Sequence, residues 1–89
     1  MVRVTFPSVL QRHVACPPVD VDGGTLRQVL EAAFAHQPTV RGYVLDDAGA
    51  LRTHLTVFVD GVVVHDRARL AQRVPAEARV DVLQALSGG

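Results

Sequence analysis

Apolar and polar positions alternate at the start of this chain. Val2, Val4 and Phe6 fall on one parity and Arg3 and Thr5 on the other, the period of a strand buried on one face. Pro7-Ser8 ends that strand, because proline cannot donate to a ladder. From Val9 to Cys16 neither period dominates, and Val9, Leu10 and Val14 suit one helical turn or a loop equally. After Pro17-Pro18 the run Val19-Asp20-Val21-Asp22 alternates again, predicting a short second strand that Gly23-Gly24 breaks. Thr25 with Gln28 then forms a capping-box pattern, in which hydroxyl and amide satisfy opposite orphan N–H groups. Leu26, Val29, Leu30, Ala33 and Phe34 follow at helical spacing and make one apolar stripe. Gln37-Pro38 closes this helix, since the residue before proline is pushed out of the α region.

The second half reads mostly as strands. Thr39 to Arg52 looks like a loop, with Gly42 and Asp46-Asp47-Ala48-Gly49 as turn chemistry. Leu55 to Val59 is a strand ending in Asp60-Gly61, a strong hairpin dipeptide, and Val62-Val63-Val64 is its short return. Asp66 to Val74 holds one short turn, Pro75 to Ala78 is a turn, and Arg79 to Leu86 is the last strand. One long helix must cover one sheet face, because no other segment carries enough apolar surface. A right-handed crossover lets the last strand lie parallel beside the first at the sheet centre. The expected architecture is therefore α+β: a ubiquitin-like β-grasp with a mixed four- to five-stranded sheet and one main helix packed on one face. Residues 1–86 are expected to be a single domain, with Ser87-Gly88-Gly89 as a flexible C-terminal tail.

Charge narrows the partners. Nine Arg balance nine acidic residues at 48% hydrophobic content, a globular composition with no surplus of positive charge for nucleic acid or an anionic membrane surface. No apolar run approaches the roughly twenty residues of a membrane span. One cysteine, Cys16, excludes an internal disulfide framework, and a reducing cytoplasm is the expected setting. All basic side chains are Arg, so no lysine of these residues can be acylated.

Catalytic constellations are missing, and no enzyme activity is expected. His13, His36, His54 and His65 are scattered without metal-ligand spacing, so no metal site is expected, and Cys16 is read as an inert thiol. Gly23-Gly24 before a helix could seat an anion but lacks the rest of a phosphate loop, and a strand–helix turn is the expected reading. The C-terminus is different. Average glycine usage of about 7% makes a chance terminal Gly-Gly an event of about 0.5%. Gly88-Gly89 directly follows a strand, and a strip without side chains suits a narrow cleft where Cβ atoms would clash. The free carboxylate is ionised and a poor acyl donor. Adenylation would make it a mixed anhydride that sulfide or an amine can attack. This chain has no nucleotide motif, so ATP and Mg must be used by a partner and no cofactor is expected on the chain itself.

The segment His54 to Gly61, then Asp66-Arg67 and Leu70, then Val80-Asp81-Val82-Leu83 and Leu86-Ser87-Gly88-Gly89, resembles the MoaD/ThiS sulfur-carrier family. The resemblance implies that Gly89 is adenylated by a ubiquitin-activating-type adenylyltransferase and converted to a thiocarboxylate by a sulfur donor protein. It further implies that Ser87 and Gly88 thread the partner's cleft, and that a downstream synthase subunit receives the sulfur in molybdopterin, cysteine or a related biosynthesis. The long Thr39–Arg52 segment is closer to the molybdopterin and cysteine types than to thiamine-pathway members. The chain could act as the small subunit of such a synthase.

Strand parity adds a candidate surface. Leu55, Val57, Val59, Val80 and Val82 share the face under the helix, leaving Arg3, Thr5, Thr56, Phe58, Leu83 and Ala85 on the open face. Phe58 and Leu83 are apolar where solvated positions are expected, which marks them as a partner-docking patch. Two other readings share the fold. One is a protein modifier conjugated through Gly89, and the other is a β-grasp interaction domain with an inert tail.

Overall fold

The computed structural model describes residues 1–85. In chain order its elements are β1 (Val2–Thr5), a 3-10 turn (Leu10–Arg12), β2 (Val19–Val21), β3 (Gly24–Thr25), α1 (Leu26–His36), α2 (Pro38–Val44), β4 (Leu55–Val59), β5 (Val62–Val63), β6 (Arg73–Val74) and β7 (Arg79–Gln84). Five strands form one mixed sheet in the order β2-β1-β7-β4-β5, and β3 pairs with β6 in a small second sheet. The last strand lies at the centre, parallel to β1 and antiparallel to β4. The expected architecture is what the chain adopts.

The period-2 reading holds because one face is covered. Val2, Val4, Leu55, Val57, Val59, Val80 and Val82 are all buried against the stripe of α1. That stripe is the predicted one, Leu26, Val29, Leu30, Ala33 and Phe34, and each member is buried. The capping box forms as read: Gln28 N–H donates to Thr25 Oγ1 at 3.2 Å, and Thr25 N–H donates to Gln28 Oε1 at 3.0 Å. Asp60 and Gly61 take φ of 49° and 82°, the left-handed pair that a type I′ hairpin turn requires.

Two expectations fail. Thr39 to Arg52 is not a loop throughout, because Pro38–Val44 is a second helix. Pro38 is pre-organised for the first helical turn, and Val40 and Val44, one helical turn apart, are both fully buried. Leu45 and Leu51 bridge across the following turn, which Asp46 organises by accepting from the N–H groups of Ala48 and Ala50 at 2.9 and 3.0 Å. Asp66 to Val74 is also more than one turn. The Asp66 carboxylate accepts from Arg69 N–H and Ala71 N–H, each at 3.0 Å, the chain passes through the buried Leu70 at φ 54°, and β6 follows. Arg27 ties these segments to the helix, its Nη2 donating to Gly49 O at 2.6 Å and to Ala68 O at 3.1 Å.

Candidate functional site

The predicted site residues Ser87, Gly88 and Gly89 lie outside the described residues. What the structure defines is the root from which they follow. β7 is hydrogen-bonded on both sides over its first half, through Arg3↔Arg79, Val4↔Val80 and Thr5↔Asp81 toward β1 and Val59↔Val80 toward β4. Past Asp81 its register continues with β4 alone, to Leu55↔Gln84. Ala85 N–H then donates to His54 O at 2.8 Å.

The open face of the sheet is as parity predicted. Leu83 is 43% exposed, Arg3 is exposed, and Thr5, Thr56, Phe58 and Ala85 are half-buried. Phe58 stands directly across from Asp81 on one side and from Val63 on the other. Leu83 is across from Thr56, which makes it a diagonal neighbour of Phe58, within reach of an aromatic ring. Val63, 38% exposed, extends this apolar strip to the sheet edge and was missed, because a two-residue strand shows no period.

Beside the strip lies a polar cluster. Asp81 Oδ1 accepts from Thr5 Oγ1 at 2.6 Å and from Arg79 Nε at 2.8 Å. Burial pushes the Asp81 carboxyl up, but the Thr5 hydroxyl and the Arg79 guanidinium outweigh it and hold the group below the usual carboxylate range. The strip is thus apolar toward Leu83 and charged toward Arg79.

Among the described residues no group of three or more His, Cys, Asp or Glu is placed to hold a metal, and the four histidines are all exposed. Cys16 is buried, burial pushes its thiol pKa up, and its backbone is clasped by the Gln11 amide. The helix behind Gly23-Gly24 offers no anion seat: Leu26 and Arg27 N–H donate to Gln72 O and Leu70 O, both at 2.8 Å, and Gln28 N–H is taken by Thr25. No described helix is long and apolar enough to cross a membrane.

Fold and topology together are those of the ubiquitin-like β-grasp, as the sequence pattern predicted. Several solved structures share this shape. A chain of the Amycolatopsis orientalis BexX/CysO complex superposes with a TM-score of 0.82 at 20% identity, covering 100% of both chains. Mycobacterium tuberculosis CysO, described as an antigen, gives a TM-score of 0.81 at 24% identity over 97% of this chain and 100% of its own. SAMP1 from Haloferax volcanii gives 0.75 at 26% identity over 99% and 98% of the two chains. No protein-family model and no curated protein matches the sequence.

Proposed function

We propose that this chain is a sulfur carrier, a substrate of other enzymes, and that its working group is the Gly89 carboxylate. The observation that supports this reading is the central strand β7, paired with β1 as far as Asp81 and with β4 as far as Gln84, beyond which the sequence continues as Ala85-Leu86-Ser87-Gly88-Gly89. Likeness in shape to CysO over the whole chain points the same way. In the proposed reaction the carboxylate oxygen of Gly89 attacks the α-phosphorus of ATP on a ubiquitin-activating-type adenylyltransferase and pyrophosphate leaves. A sulfide nucleophile from the donor protein then attacks the acyl carbon, AMP leaves, and the product is the thiocarboxylate. Ser87 and Gly88 pass through the enzyme's cleft, where the absence of a Cβ at Gly88 permits close approach. Phe58 and Leu83 form the docking strip for that enzyme or for a downstream synthase subunit. The domain boundary is proposed after Leu86.

The second reading is a protein modifier, in which an amine of another protein displaces AMP. It is supported by the likeness to SAMP1, a small archaeal modifier protein. The two part at the acceptor. With the adenylyltransferase, ATP and a sulfur donor, the intact protein is expected to gain the mass difference between sulfur and oxygen at Gly89. Isopeptide adducts with other proteins would instead establish the modifier. A variant lacking Gly89, or carrying a C-terminal tag, must be inert in both cases. Activation of the tagged protein at the wild-type rate would refute the role of Gly89.

A further inference from the structure

The chain leaves the sheet where β7 still runs on. β1 pairs with β7 as far as Thr5↔Asp81, whereas β7 continues to Gln84. Pro7 has no N–H with which to extend the ladder. Instead its carbonyl accepts from Leu10 N–H at 3.0 Å, and the backbone winds into the 3-10 turn. The gap this leaves beside the tail root is a cleft of about 190 Å³, lined by Val9, Leu10, His13, Tyr43, Leu55 and Gln84. Its floor, Leu10 and Leu55, is buried, while Val9 at 39% and Tyr43 at 44% exposure form an apolar rim. Tyr43 stacks on His13 with ring centroids 6.0 Å apart and planes within 15°. Gln84 has the parity of Val80 and Val82, so the cleft opens on the helix-covered side, opposite Phe58 and Leu83.

We propose that this cleft receives one apolar side chain, aliphatic or aromatic, from the adenylyltransferase that acts on Gly89. The proposal rests on the sulfur-carrier reading above. Its warrant is reach. Residues 86–89 span at most about 14 Å when fully extended. An enzyme holding the Gly89 carboxylate in its catalytic centre must therefore bring its own surface that close to Ala85, and so against the cleft beside it. Size limits the occupant. The cleft falls below the roughly 300–1,000 Å³ of pockets that take a whole small molecule, which suits a single side chain. Fully desolvated apolar anchors of this kind dominate interface energetics. With Leu83 on one face of the sheet and the cleft on the other, the enzyme grips the tail root from both sides.

The test is ATP–pyrophosphate exchange by the ubiquitin-activating-type adenylyltransferase of the same genome, with the carrier titrated. Val9→Asp and Tyr43→Ala are expected to raise the KM for the carrier about tenfold or more, as loss of an interface anchor does. The kcat at saturation and the thermal unfolding curve should stay near wild type, and Tyr43→Phe should restore KM. A photo-crosslinker at position 43 is expected to capture the enzyme. If both variants keep the wild-type KM, or the crosslink joins two copies of this chain without enzyme, the cleft proposal is overturned while Gly89 activation stands. Absence of exchange with the wild-type carrier overturns the functional reading itself, and this inference with it.

Discussion

Val57 and Phe58 are neighbours in β4 with opposite faces, and replacing each with serine separates the core from the docking strip. Val57 has no exposed surface and stands across from Val82, which has none either. Val57→Ser removes two methyl-sized groups at about 0.8 kcal/mol each. It also leaves a hydroxyl in an apolar site at about 1–3 kcal/mol and opens a small cavity, for a total of about 3–5 kcal/mol. Against the roughly 0.05–0.15 kcal/mol per residue typical of domains, about 4–13 kcal/mol for 89 residues, this is a large share of the total stability. Leu83 is 43% exposed, so Leu83→Ser gives up no more than about 1 kcal/mol of burial. Half-buried Phe58→Ser falls between, at about 1–2 kcal/mol, below the ~3–5 of a core phenylalanine truncation. At about 4–8 °C per kcal/mol for a domain of this size, Val57→Ser should lower Tm by at least about 12 °C and Leu83→Ser by less than about 8 °C. Thermal melts followed by circular dichroism, with urea titrations at fixed temperature, measure both. The binding order should be reversed: Phe58→Ser and Leu83→Ser weaken association with the activating enzyme while the fold persists. Melting of Phe58→Ser or Leu83→Ser at or below Val57→Ser would refute the assignment of faces.

The faces were legible because burial on one side of a sheet forces period 2, and β1, β4 and β7 are long enough to show it. The capping box and the Asp60-Gly61 turn were equally plain, since each is a local solution that a few named residue types supply. α2 was hidden by its own composition. Gly42 and the Asp46–Gly49 turn outweighed the pairing of Pro38 with Val40 and Val44, which is the signal a seven-residue helix leaves. β3 and β6, two residues each, carry no periodicity and exist because tertiary packing brings them together. The same reason hid the cleft beside the tail root: Val9, Tyr43 and Leu55 are far apart in sequence, and only the departure of the chain at Pro7 makes them neighbours. Parity could place Phe58, Leu83 and Thr5 on a common face, but not the hydrogen bonds from Thr5 and Arg79 to Asp81 that bound their strip.

Two further outcomes follow from local geometry. Gly42 sits exposed inside α2, and a Cβ there would meet nothing within 4 Å. Gly42→Ala should therefore raise stability by about 0.5–1 kcal/mol, read as a small increase in Tm; a decrease would contradict a helical conformation at this position. The second outcome is acid sensitivity. Hydrogen bonds from Arg3 to Asp20, from Arg41 to Glu31, and from the Ala71 and Arg69 N–H groups to Asp66 each hold a carboxyl below its ordinary value. Asp81 joins them, its burial outweighed by Thr5 and Arg79. A carboxyl with a depressed folded pKa binds its proton more readily in the unfolded chain, so acidification favours unfolding. The stabilisation is complete above the ordinary carboxylate range near pH 4 and is lost as pH falls through the folded values beneath it. Urea midpoints should accordingly be level from pH 7 to about pH 5 and decline steeply below about pH 4. Asp66→Asn should flatten part of that decline, because it removes one of the titrating groups that orders the turn before β6. A midpoint that stays constant down to pH 2 would show that these pairs make no difference between folded and unfolded states.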